Sequence, residues 1–178
     1  MKLHLCLLAA MVAVSAPAQA DMSQFAYGPA ITDHGAVAKV DTDQPLAPGV
    51  DYKLDFDIGK GVPEKVNTDL DSVARLFNML AASGVPLSKI HPAVVVWGAG
   101  MMDVTTQARY GQEYGGAINP NIGLVKDLIA KGVPIYVCGQ SAVQHDVAKS
   151  DLLPGVKMAL SGMTTHAMLH QQGYFVNP

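Results

Sequence analysis

Sulfur and charge are both scarce in this chain. Its 178 residues hold two cysteines, Cys6 and Cys138, and Cys6 falls within an apolar N-terminal run. With that run set aside, Cys138 is the lone thiol, so a framework of intrachain disulfides is excluded. Charged residues make up 15% of the chain, with 12 Lys and Arg against 15 Asp and Glu. No basic stripe stands out among them, and phosphate contacts need clustered Lys or Arg, so nucleic acid is excluded as a partner. After the N-terminus no apolar run is long enough to span a membrane as a helix. There is no G-x-S-x-G for a hydrolase nucleophile. There is no G-x-G-x-x-G after the first strand for a dinucleotide fold. Internal repeats and low-complexity tracts are also missing.

The N-terminus has the pattern of an export signal. Lys2 is the charged start, Leu3 to Val14 is apolar, and "APAQA" supplies small residues before Asp21. This predicts a secretory signal peptide over 1–20, cleaved after Ala20, and a protein of the periplasm. Without Lys2 the remaining chain carries 11 basic and 15 acidic residues, a formal charge of −4. Residues 21–49, with Pro29, Pro45 and Pro48, read as an irregular arm with a short edge strand at Ala36 to Val40. Residues 50–178 read as an α/β domain.

In "DYKLDFDI", Tyr52, Leu54, Phe56 and Ile58 alternate with polar residues, as in a strand with one polar side. Residues 68–84 predict a helix capped by Asn67 or Thr68 and stopped at Gly84, with Leu70, Val73, Ala74, Phe77, Leu80 and Ala81 on its apolar stripe. "PAVVVWG" and "VPIYVCG" are valine-rich runs of strand length, expected to be buried on both faces. Between them, residues 98–118 lack periodicity and read as a long loop or lid. "NPNIGLVKDLIAKG" predicts a helix with Asn119 as cap and Pro120 in first position. "QSAVQHDVA" is a short helix or turn starting near Ser141. "VKMALSG" is a third apolar run, "MTTHAMLHQQG" a last helix and "YFV" a last strand. Met79, Met158, Met163 and Met168 lie in apolar periodic segments and read as core. Strands alternating with helices predict a mostly parallel central sheet with helices on both faces.

Sites in open α/β sheets form at the carboxyl ends of strands. Three such ends, "VVWGAG", "YVCGQS" and "ALSGMT", exit into glycine-containing turns. Cys138 stands at one of them. A thiolate, not a thiol, attacks sulfur, and a helix N-terminus lowers a thiol's pKa. Gln140 and Ser141 are placed to donate to the sulfur or to cap the helix. A buried free cysteine that packs as a small hydrophobe fits the same position. Ser161 and Thr164 straddle Gly162 and fit either a pocket lining or a helix cap. Trp97 at its strand end fits a ligand platform or an oligomer contact. His166 and His170 are four apart, and Cys138 would complete a metal set with them, but no other ligand pattern joins them. No metal and no cofactor is expected.

The segments "VNTDLDSVARLFNMLAASGVP", "AVVVWGAG", "NPNIGLVKDLIAKGVPIYVCGQSA" and "DLLPGVKMALSGMTTHAMLHQQGY", in this order, resemble the DsrE/DsrF-like family, in particular its exported branch. The resemblance implies a three-layer α/β/α fold with a mostly parallel central sheet, assembled as a trimer or hexamer. In sulfur-relay members a cysteine at this strand end carries sulfane sulfur as a persulfide. That role falls on Cys138, with Gly139, Gln140, Ser141, Trp97, Gly98, Ser161, Gly162 and Thr164 shaping its pocket. The partner implied is a thiol-bearing protein or a small sulfur compound. At Trp97-Gly98 the chain departs from the His-Gly of many exported relatives. The alternative is an oligomeric binding or assembly module with an inert cysteine, in which Trp97 and residues 98–118 form the contact surface.

Overall fold

The computed structural model describes residues 22–177, and the expected signal segment over 1–20 lies outside the described residues. The arm opens with β1 (Phe25–Ala26), which pairs antiparallel with β2 (Val37–Ala38). The strand expected at Ala36 to Val40 is thus only two residues long, and it pairs within the arm instead of edging the main sheet. Polar side chains pin this arm to the body, Asp71 Oδ1 accepting from the Gly35 amide at 2.8 Å. Asn78 Oδ1 accepts from the amides of Ala30 and Ile31 at 3.0 and 2.8 Å. Its Nδ2 donates to the carbonyls of Ile31, His34 and Gly35.

The main sheet is built from β3 (Tyr52–Ile58), β4 (Ile90–Val96), β5 (Ile135–Cys138), β6 (Lys157–Ala159) and β7 (Phe175–Asn177). All pairings are parallel and the order is β6-β5-β4-β3-β7. Among the described residues five α-helices join or flank the strands: α1 (Thr68–Ala82), α2 (Gln107–Glu113), α3 (Ile122–Ala130), α4 (Gly139–Gln144) and α5 (Gly162–Gln171). This is a three-layer α/β/α arrangement. The Asn67 side chain caps α1 by accepting from the amides of Asp69 and Leu70.

Strand parity decides which residues meet which layer. Phe56, Ile58, Val94, Val96, Ile135 and Val137 join α1 and α3 in the main core. The alternate residues point the other way. Ala93 and Val95 form a second, smaller cluster with Leu169 of α5. The polar side of β3 therefore faces α5, and Asp55 is fully buried there. α5 buries Gly162, Thr165 and Leu169. Its methionines consequently point outward. Met163 and Met168 are exposed, as is Met79 on α1, contrary to their reading as core, whereas Met158 packs against the main core.

Residues 98–118 are not a lid. Gly98–Val104 forms a 3-10 helix and α2 follows, with Met101, Met102, Val104 and Tyr110 in the core. Short helical turns held by side-chain hydrogen bonds show no periodicity of their own. Asp103 is the hub. Its carboxylate accepts from Asn67 Nδ2 at 2.8 Å and Asn121 Nδ2 at 3.1 Å. Asn119, expected to cap α3, is buried and bonds the carbonyls of Asp103 and Thr105. Asn121 takes the cap position instead, so Pro120 precedes the helix. Burial pushes the Asp103 carboxyl up to about 6, against the opposing bond from Asn67.

Candidate functional site

β5 ends on Cys138 because Gly139 begins α4 at once. A Cβ at residue 139 would stand 2.4 Å from the Ala159 carbonyl oxygen and 3.1 Å from that of Leu160. Only glycine lets β5 turn into a helix this close to the end of β6. α4 starts two residues before the helix start expected at Ser141, with Cys138 itself at the cap position.

Cys138 is 8% exposed, and its side chain is on the α5 face. It opens onto a cavity of about 340 Å³, lined by Asp57, Trp97, Cys138, Gln140, Ser141, Ser161, Gly162, Met163 and His166. Burial pushes the thiol up, but the amides of Ser141, Gly162 and Gln140 and the Ser141 hydroxyl face the sulfur and outweigh it. The net effect holds the thiol below its ordinary value. The Cys138 side chain makes no capping hydrogen bond to α4.

The residues expected around the thiol divide into three groups. Trp97, Gln140, Ser141, Ser161 and Gly162 line the cavity with Cys138. Gly139 and Gly98 act from behind it. The Gly98 amide, at φ +53°, donates to Ser141 Oγ at 3.4 Å. The Gln140 side chain turns aside and donates to the Leu160 carbonyl at 3.2 Å. Thr164 lies outside the lining and is exposed. Its amide donates to Ser161 Oγ at 3.1 Å, so Ser161 caps α5 as well as lining the cavity. His170 is exposed and takes no part in the lining. Among the described residues no group of three His, Cys, Asp or Glu side chains is arranged to hold a metal, so the Cys138–His166–His170 set does not assemble.

Three side chains of the site escape a reading by motif. His166 Nδ1 lies 2.6 Å from Asp55 Oδ2, and its Nε2 lies 3.4 Å from Asp57 Oδ1. The Trp97 indole packs on Gly59, and its Nε1–H donates to the same Asp57 oxygen at 2.5 Å. Burial pushes the Asp55 carboxyl up; the bond from His166 opposes this without cancelling it. The available signal was the Asp-x-Asp on the polar side of β3, a side that a strand in mid-sheet must bury against something.

A model of the DsrE/DsrF-like family matches residues 56–178. No curated protein matches the chain. Among solved structures, the protein of unknown function MTH1491 from Methanobacterium thermoautotrophicum is similar at 21% identity and a TM-score of 0.52, over 71% of this chain and 100% of that one. The ychN protein from E. coli is similar at 13% identity and a TM-score of 0.49, over 70% of this chain and 99% of that one.

Proposed function

The chain belongs to the DsrE/DsrF-like family, and from that premise we propose that it is a periplasmic sulfur carrier holding sulfane sulfur as a persulfide on Cys138. Membership of the family suggests a function related to sulfur relay. The finer reading is carried by one observation: the described structure's free cysteine opens onto a cavity whose donors favour its thiolate. The Cys138 thiolate attacks the terminal sulfur of a polysulfide. A new S–S bond forms, the next S–S bond breaks, and the donor leaves one sulfur shorter as an anion. A second thiol, on a protein or a small molecule, then takes the sulfur by the reverse step. Export rests on the charged and apolar N-terminus ending in "APAQA".

Intact-mass measurement after incubation with inorganic polysulfide tests this. The wild-type protein gains the mass of one sulfur atom, and the gain is removed by a reducing thiol. Cys138→Ser gains none. No adduct on the wild type, or the same adduct on the variant, overturns the reading.

A second reading rests on a different observation. Met163 and Met168 of α5, Val176 in register with Asp55, and Leu160 just before α5 are large, apolar and exposed, the first three on the α5 side of the sheet. Clustered apolar exposure of this kind is characteristic of association surfaces. We assign this face to a homo-oligomer, a trimer or hexamer, which serves the carrier as well as an assembly module with an inert cysteine. Light scattering after size exclusion should give a multiple of the monomer mass, reduced by Met168→Glu. A monomeric wild type refutes the assignment. Native Cys138 reacting with a thiol reagent only upon unfolding favours the inert-cysteine form.

A further inference from the structure

The cavity has two chemical walls. On one, Cys138 receives backbone amides. On the other stands His166, bonded through Nδ1 to a carboxylate that is itself fully buried in the sheet. A buried carboxylate with one hydrogen-bonded partner is a poor stabilising device. Burying it is costly, and an apolar residue of similar size would suit this place in the sheet better. His166 offsets only part of that cost for Asp55, whose Oδ1 is also buried and finds no partner among the described residues. What it does achieve is orientation. An Asp on Nδ1 fixes the ring and its tautomer and directs Nε2 outward, where a proton can be taken or given.

We infer that His166 is the proton-transfer residue for thiols bound in the Cys138 cavity, and that Asp55 is its positioning residue. The inference rests on the persulfide reading of Cys138. In loading from a small persulfide R–S–SH, Cys138–S⁻ attacks the terminal sulfur, the R–S bond to that sulfur breaks, and R–S⁻ leaves. His166 delivers a proton to R–S⁻ and recovers one from the new Cys138–S–SH. The sum is Cys138–S⁻ plus R–S–SH giving Cys138–S–S⁻ plus R–SH, balanced in atoms and charge. In unloading, His166 Nε2 takes the proton of the acceptor thiol R′–SH, R′–S⁻ attacks the outer sulfur, the bond from that sulfur to Cys138 breaks, Cys138–S⁻ leaves, and the imidazolium returns its proton to the transferred sulfur, so that Cys138–S–S⁻ plus R′–SH gives Cys138–S⁻ plus R′–S–SH. The imidazolium formed lies between Asp55 on Nδ1 and Asp57 near Nε2. The Trp97 indole holds Asp57 in place through its N–H. On this side of the sheet β3 contributes Asp55 and Asp57, with Lys53 two residues earlier, and β5 contributes Cys138, with Tyr136 two residues earlier. Tyr174 feels the charge of Asp55. β4 and α4 bring only Trp97, Gln140 and Ser141 to the cavity, none of them ionisable.

Two ways of emptying the same persulfide separate proton transfer from mere architecture. Sulfite is largely a dianion slightly above neutral pH and needs no base, whereas cysteine must lose a proton. Protein loaded with inorganic tetrasulfide is mixed with each acceptor slightly above neutral pH. His166→Gln, a change at a partly exposed side chain, should slow transfer to cysteine by roughly 100-fold and leave transfer to sulfite, read as thiosulfate, unchanged. The deficit should shrink as pH rises and free cysteine ionises. Asp55→Asn should act in the same direction, by about tenfold or more, again sparing transfer to sulfite. Unchanged transfer to cysteine in His166→Gln overturns the inference, and so does a parallel fall with both acceptors. A wild type that takes up no sulfur removes the persulfide reading itself and this inference with it, an outcome read before any variant is compared.

Discussion

Gly139→Ala should lower stability by about 3 kcal/mol or more, a fall of roughly 10 °C in Tm for a protein of this size. The added Cβ would sit 2.4 Å from the Ala159 carbonyl oxygen. That atom is backbone and cannot swing away as a long side chain would. Relief requires β5 and β6 to part at Cys138↔Ala159, the last pair of their register. The same movement withdraws Cys138 from the amide of Gly162, which follows β6, so the thiol should also move back up. Gly162→Ala is the matching control. Its Cβ would meet Val95 Cγ1 at 3.5 Å and Cys138 Sγ at 4.0 Å, which is ordinary contact. Tm should then change by no more than about 2 °C, while sulfur loading slows because the approach to the thiol narrows. Thermal unfolding and loading rates of the two variants check this. Equal Tm values for Gly139→Ala and the wild type would refute the argument.

The second large effect is a pH dependence of stability centred on Asp103. Its carboxyl titrates at about 6 when folded, against 3.8 for the ordinary group. Below both values it is protonated in either state and contributes no slope. Between them the folded state holds a proton that the unfolded state has lost, so stability falls as pH rises through that window. Above about 6 the loss is complete, at about 3 kcal/mol for a shift of this size. Asp55, also pushed up by burial, adds to the slope in the same direction. Asp51, held low by hydrogen bonds from Lys89 and His91, opposes it. The quantity to measure is therefore the difference between wild type and Asp103→Asn, by urea unfolding from pH 3.5 to 7.5. The asparagine can accept only one of the two bonds from Asn67 and Asn121. That lost bond is a constant offset; the slope is what should disappear. A difference that stays flat across the window would contradict the burial of this carboxyl as the cause.

Legibility in the sequence followed the range of the interaction. The strand from Tyr52 to Ile58 shows its alternation within seven residues, and α1 shows its stripe within fifteen. The thiol at the end of β5 was legible for the same reason, because strand, glycine and helix start are consecutive. Residues 98–118 resist because Asp103 and Tyr110 are held by Asn67 and Glu64, far along the chain, and because Asn119 bridges carbonyls across the segment itself. A cap and a buried bridging amide look alike in sequence, so Asn119 reads as a cap. Spacing alone does not say which side of a helix faces the sheet, so the methionines of α5 read as core.

From the sequence alone came the alternating α/β order, the resemblance to one family, and a lone thiol at a strand's carboxyl end. Each depends on residues close together in the chain or on their order, and order survives without coordinates. The tertiary structure alone decided that Asp55, 111 residues before His166, lies against its ring, and that His166 lines the cavity of Cys138 with Asp55 behind it. The reason is physical: that pairing exists only once β3 lies inside the parallel sheet and α5 crosses its polar face. Neither condition leaves a mark on the few residues around either partner.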